Sequence, residues 1–228
     1  PGRNLDPVLV PEELIGPLYR YGCHGADIAV IEGVMGLFDG RIDAQPVTPA
    51  RGSTAHVAEL LSAPVLLVVD ARGQSQSIAA VLQGFSSFHR GVHIGGVILN
   101  RVGSRRHEQV LRQSCEAVGV PVLGAIPRHD ELSVPSRHLG LVQGALDSWA
   151  RVIAHHVDLA AVVGLAGSRV AAGAWSPESA IDEPVAGRPV VAVAAGKAFS
   201  FGYAEHRELL HVAGAEVVEF DPVTDALP

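Results

Sequence analysis

Short apolar runs that end in a polar residue recur along the chain. Residues 28–31 read I-A-V-I and lead into Glu32. Residues 64–69 read P-V-L-L-V-V and lead into Asp70. Residues 92–99 lead into Asn100 and Arg101, and residues 120–126 lead into Pro127 and Arg128. Unbroken apolar runs, rather than alternating ones, fit strands covered on both faces, as in a parallel sheet. Between them the period changes to that of a helix. Residues 11–21 read as a helix with Pro11 in its permissive first turn and Gly22 at its end. Residues 55–61 form a second, with Ser53 or Thr54 as its N-cap. Residues 75–85 place Ile78, Val81, Leu82 and Phe85 at helical spacing, and residues 107–118 do so for Val110, Leu111 and Cys115. A further helix is expected over residues 149–161. The alternation predicts an α/β fold with a parallel sheet and crossover helices.

A second region follows. Residues 166–187 are rich in Gly, Ala, Ser and Pro and read as a linker. Residues 188–194 then predict a strand, 205–214 a helix and 216–220 a strand, which is one βαβ unit. The expected division is a first domain over 1–165, a linker over 166–187 and the start of a second domain over 188–228.

The residues with chemistry lie at the ends of the predicted strands. Glu32 and Asp39 stand among three glycines, Gly33, Gly36 and Gly40. A carboxylate at the carboxyl end of a central strand sits where open α/β sheets bind ligands. Glycines beside it let the backbone turn and approach a ligand closely. The bland alternative is a flexible loop with solvated acids. A helix start at Ser53 and Thr54 offers amides to an anion, or is simply capped. Asn100 offers both a donor and an acceptor, or serves a turn. Arg101, Arg128 and Arg137 are either ligand contacts or solvated charges. His155 and His156 are adjacent, so on a helix they point in different directions and share no metal.

Composition narrows the picture. The 228 residues are 48% hydrophobic and 18% charged, enough apolar content for a core. A net charge of -7 and a pI near 5.8 argue against a general nucleic-acid binder. No apolar run approaches the roughly 20 residues that span a bilayer. Two cysteines, Cys23 and Cys115, make no disulfide framework and point to a reducing, cytoplasmic setting. The phosphate-cradling pattern G-x-x-x-x-G-K-[ST] is absent from the sequence: Gly196-Lys197 is followed by Ala198.

Residues 32–40, E-G-V-M-G-L-F-D-G, resemble the signature of the cobyrinic acid and hydrogenobyrinic acid a,c-diamide synthases, which act on the corrin ring of vitamin B12. Nine consecutive matching residues are far more specific than a lone glycine motif. Residues 52–61 (G-S-T-A-H-V-A-E-L-L), 97–103 (V-I-L-N-R-V-G), 124–128 (G-A-I-P-R) and 135–141 (P-S-R-H-L-G-L) are similar to further blocks of that family. After Leu141 the likeness falters, because residues 142–150 are shorter than the family's glutamate and long helix. Residues 198–203 (A-F-S-F-G-Y) and 214–222 (G-A-E-V-V-E-F-D-P) resemble the start of a class I glutamine amidotransferase-like domain.

The resemblance implies a mostly parallel sheet of the P-loop NTPase, dethiobiotin-synthetase-like type, followed by the first βαβ unit of that amidotransferase-like domain. It implies ATP and Mg²⁺ as cofactors, and a corrin acid and glutamine as small-molecule substrates. No nucleic acid or membrane is implied; a homodimer is. Glu32 suits a metal ligand beside the phosphates. Asp39 helps place the substrate carboxylate or completes the metal's shell. Gly33, Gly36, Ser53 and Thr54 belong to the substrate loop, and Asn100, Arg101, Pro127 and Arg128 hold ATP at its adenine. Residues 1–10 resemble a segment downstream of the family's P-loop, and the glutaminase cysteine would lie beyond residue 228, so a fragment inactive by itself is expected. Rival readings are a cobyric acid synthase-like amidotransferase, another ATPase of the dethiobiotin synthetase group, and a non-catalytic binding module.

Overall fold

The computed structural model describes residues 2–45, 47–128, 146–167, 173–196, 199 and 202–226. Two compact units are present, one of residues 32–169 and one of residues 1–31 with 170–228.

The first unit holds a three-stranded parallel sheet in the order β1 (Val65–Asp70), β2 (Ile94–Val102), β3 (Val122–Pro127). The central strand β2 is buried along almost its whole length, as its unbroken apolar run predicts. β1 differs from the expectation of full burial. Val69 is buried whereas Val68 is 59% exposed. β1 pairs only with β2 among the described residues, so its outer edge is unpaired there.

Helix α2 (Thr54–Leu61) precedes β1, α3 (Ser77–Phe88) joins β1 to β2, and α4 (Arg105–Ala117) joins β2 to β3. Ile78 and Leu82 of α3 and Leu111 and Cys115 of α4 enter one core with Val97 and Leu99 of β2. These are the positions that helical spacing marks. Each fully buried side chain of this kind contributes about 1.5–3 kcal/mol over its exposed state. Helices α5 (Leu146–His156) and α6 (Leu159–Leu165) follow β3. A single helix over 149–161 is therefore wrong. The Asp158 carboxylate accepts the Ala161 N–H at 2.9 Å and caps a new helix. The Asp158 N–H meanwhile donates to the Leu123 carbonyl at 2.7 Å, pulling the junction onto β3.

A second correction concerns residues 28–31. They form no strand, and Val30 is 88% exposed. An apolar run becomes a strand only where its amides and carbonyls find a ladder, and this one pairs with no described strand. Glu32 consequently stands in a loop and does not follow a strand.

The other unit begins with α1 (Glu12–Gly22), which starts after Pro11 rather than with it and buries Ile15 and Leu18. The βαβ unit expected near the chain's end is present as β4 (Val190–Ala194), α7 (Ala204–Val212) and β5 (Glu216–Phe220), its strands parallel. Arg3 is the unit's main polar anchor. Its guanidinium donates to both Glu208 oxygens at 2.9 and 2.8 Å and lies 3.2 Å from Glu205. It also lies over the Tyr21 ring at 4.7 Å, and Tyr21 meets Trp175 edge-on at 5.1 Å. The hydrogen bond to Glu208 raises the Arg3 pKa above its ordinary value and lowers that of Glu208.

Candidate active site

Two groups of candidate residues take shape in the unit of residues 32–169. The first is the loop that carries Glu32 and Asp39. Its buried anchor is Leu37, whose carbonyl accepts the Ala55 N–H at the start of α2, at 2.9 Å. Phe38 lies parallel to Phe85 at 6.0 Å and tilted on Phe88 at 4.7 Å, both on α3. Ring pairs of this kind add about 0.5–1.5 kcal/mol each beyond burial. Arg41 N–H donates to the Arg51 carbonyl at 2.8 Å, closing the loop's far side. Gly33 lies so close to the Thr54 side chain that any side chain there would collide with it. Gly40 lies equally close to the backbone of Arg51 and Ser53. Between them Met35 takes a left-handed φ of 64°, and the Asp39 carboxylate folds back against Gly36. Gly33 and Gly40 therefore admit the start of α2 and the segment before it, and Gly36 admits the loop's own Asp39. Gly33, Gly36, Asp39, Ser53 and Thr54 come together there.

Glu32 and Asp39 are both exposed. Among the described residues no three His, Cys, Asp or Glu side chains gather as a metal cage. Mg²⁺ does not need one, since it keeps waters and phosphate oxygens and takes one or two carboxylates from the protein. Two exposed carboxylates on a short, well-anchored loop fit that demand.

The second group lies at the carboxyl ends of the three strands. Asp70 ends β1, and its carboxylate pairs with the Arg101 guanidinium at 3.1 Å and accepts the Arg72 N–H at 3.0 Å. Asn100 and Arg101 do not follow β2 but lie within it, where the pairing with β3 shifts register. Arg101 has a φ of 60° there, uncommon for a non-glycine residue. A bulge re-aims side chains and is a frequent neighbour of active sites. The Asn100 side-chain oxygen accepts the Arg101 N–H at 2.9 Å. Pro127 pairs with Val102, and the Arg128 N–H donates to the Val102 carbonyl at 3.0 Å. Asn100, Arg101, Pro127 and Arg128 thus share one sheet edge with Asp70. No hydrogen bond or ion pair among the described residues joins this edge to Glu32 or Asp39. Arg137 and residues 135–141 lie outside the described residues.

Both groups are fastened by a feature that the strand-end reading overlooks. Ser53 caps α2, its buried hydroxyl accepting the His56 N–H at 3.1 Å, and His56 Nδ1 accepts the Gly52 N–H at 3.2 Å. Ser104 caps α4 in the same way, accepting the His107 N–H at 3.1 Å, and His107 Nδ1 accepts the Gly103 N–H at 3.1 Å. The pattern G-S-x-x-H, present at residues 52–56 and 103–107, is the sequence signal for both. It is a relative of the capping box, with histidine where Glu or Gln usually stands, and its ring accepts from the glycine before the cap rather than from the cap itself.

Residues 24–136 match the family model of an AAA domain. Along its whole length the chain is 62% identical to a hydrogenobyrinate a,c-diamide synthase of Mycobacterium tuberculosis, covering 52% of that protein. The chain is similar to that synthase throughout. The enzyme of that name from Streptomyces coelicolor is 47% identical over 98% of the chain, covering 54% of its own length. A cobyrinate a,c-diamide synthase of Methanosarcina acetivorans is 39% identical over 98% of the chain and is covered over 48% of its length. The chain thus spans about half the length of these curated relatives. No solved structure is significantly similar to it. The match to an AAA domain agrees with a parallel α/β sheet of the P-loop NTPase type.

Proposed function

We propose that this chain carries the carboxylate-activating part of an ATP- and glutamine-dependent amide ligase acting on the a and c acetate groups of a corrin acid. The observation that carries the reading is the 62% identity, over the whole chain, to relatives named hydrogenobyrinate a,c-diamide synthase. The lower identity to the cobyrinate enzyme, 39%, favours the cobalt-free ring.

The chemistry follows from the leaving group. A carboxylate does not yield an amide with ammonia directly, because oxide leaves poorly. Transfer of the terminal phosphoryl group of ATP to a carboxylate oxygen makes an acyl phosphate. Ammonia released from glutamine attacks that carbonyl carbon, and phosphate departs with the oxygen. Such a transfer asks the protein for positioning and charge neutralisation more than for covalent chemistry. Glu32 and Asp39 would hold Mg²⁺, which supplies charge neutralisation at the phosphates. Asp39 also orients the acetate. The Gly33–Thr54 contact and the Ser53 cap keep the loop in shape. Asn100 and Arg101, turned by the bulge in β2, and Pro127 and Arg128 at the end of β3 form the adenine pocket. The unit β4–α7–β5 is read as the start of the glutaminase.

Hydroxylamine in place of glutamine tests the acyl phosphate. The intact protein with ATP, Mg²⁺ and hydrogenobyrinic acid is expected to give a corrin hydroxamate. ATP hydrolysis with no hydroxamate and no amide would remove the reading.

A further inference from the structure

We propose that His107 is a positioning residue for the nucleotide: a neutral imidazole, protonated on Nε2, that staples the β1 end to the β2 end and so fixes the Asn100–Arg101 bulge. This deepens the ligase reading and rests on the assignment of Asn100 to the nucleotide.

The two partners of the ring determine its tautomer. Gly103 N–H can only donate, so Nδ1, at 3.1 Å, is the acceptor and carries no proton. The Gln74 carbonyl can only accept, so Nε2, at 2.6 Å, carries the proton and donates. Gln74 belongs to the segment after β1, and Gly103 to the segment after β2. One side chain therefore spans two strand ends that are 33 residues from it and four residues from it, respectively. The staple is backed on either side. Gln74 donates its amide to the Asp70 carbonyl at 2.9 Å, and Ala71 N–H donates to the Asn100 carbonyl at 2.8 Å. The left-handed Arg101 lies between these two crossings and pairs with Asp70. A non-glycine residue in that conformation persists only where its surroundings over-determine it. The second crossing bond is what gives His107 a role beyond capping.

Three substitutions separate capping from stapling. Glutamine places an acceptor and a donor together, as the neutral ring does, and can serve Gly103 and Gln74 at once. Glutamate, the ordinary N3 residue of a capping box, can accept a backbone N–H at the helix start, but it brings lone pairs, with no proton, to the Gln74 carbonyl. Alanine removes both bonds. Steady-state amidation by the intact protein is measured against ATP and against the corrin acid, with Asn100→Ala as the control for the underlying assignment. We expect Asn100→Ala, His107→Ala and His107→Glu each to raise the KM for ATP about tenfold, the effect of losing one net hydrogen bond. The KM for the corrin acid should stay unchanged, and His107→Gln should remain within about twofold of the parent on both.

With Asn100→Ala raising the KM for ATP, a wild-type value in His107→Glu overturns the staple. A loss in His107→Gln equal to that in His107→Ala does so too, as does a joint rise of both KM values in His107→Glu. With Asn100→Ala leaving the KM for ATP unchanged, the nucleotide assignment falls and the positioning role falls with it. The two failures are thereby distinct. Thermal melting of His107→Glu and His107→Gln at matching temperatures shows that both keep the cap.

Discussion

Glu32 and Asp39 are exposed carboxylates on a loop whose shape is set by Leu37, Phe38 and the close approach of Gly33 and Gly40 to other chain segments. Their charge can therefore be removed without disturbing what holds the loop. Glu32→Gln and Asp39→Asn are expected to lower kcat for amidation by about 10²–10³-fold, the effect of losing one group that faces transition-state charge. Stability should shift by no more than about 0.5 kcal/mol, as for other exposed positions. Wild-type turnover in both variants would take the carboxylates out of the reaction. The cysteines also differ at this scale. Cys115 is fully buried, and burial pushes its thiol pKa up, whereas Cys23 is half-buried. Mass-resolved labelling with a thiol reagent at neutral pH should modify Cys23 first and Cys115 only on unfolding. The loop was legible in the sequence from its three glycines, but the strand expected to lead into Glu32 was not there. The role of the glycines was not legible: they admit the chain's own segments, and such contacts are set by tertiary packing.

At the scale of elements, the parallel β1–β2–β3 order and the helices between them follow from apolar runs alternating with helical spacing. Buried positions such as Ile78, Leu82, Leu111 and Cys115 fall where that spacing puts them. Three features were hidden. Residues 28–31 have a strand's composition but no ladder partner among the described residues, and pairing is not a local property. The helix expected over 149–161 breaks at Asp158, a capping residue inside an apolar-periodic run. The bulge at Asn100 and Arg101 has no signature such as glycine, because a non-glycine residue takes the left-handed φ. The caps give a direct test. Ser53→Ala and Ser104→Ala should each cost about 1 kcal/mol, read as a lower urea midpoint with an unchanged slope. Loss of Ser53 should also raise the KM for the corrin acid, since its helix start holds the loop of Asp39.

At the scale of the whole molecule, the first residues of the chain are tied to α7 near its end by Arg3 and Glu208. The tie is pH-sensitive in a defined direction. The bond to Arg3 lowers the Glu208 pKa below its ordinary 4.5. A carboxylate lowered in the folded state stabilises above its unfolded value and loses that contribution as pH falls through the folded one. Stability should therefore decline below about pH 4.5. Glu208→Gln should flatten that decline and cost about 2 kcal/mol at neutral pH, as for a charge-assisted bond. Urea unfolding at several pH values measures both. An acid limb equally steep in the variant would show that other carboxylates carry it.

The most direct test of the central claim is product mass. The intact protein is incubated with ATP, Mg²⁺ and glutamine, and with either hydrogenobyrinic or cobyrinic acid. Each acid-to-amide step exchanges a hydroxyl for an amino group and moves the corrin mass by the same fixed decrement. Two successive decrements with hydrogenobyrinic acid, dependent on both ATP and glutamine, are expected. An unchanged corrin mass with either ring, while ATP is consumed on another acid, would contradict the account.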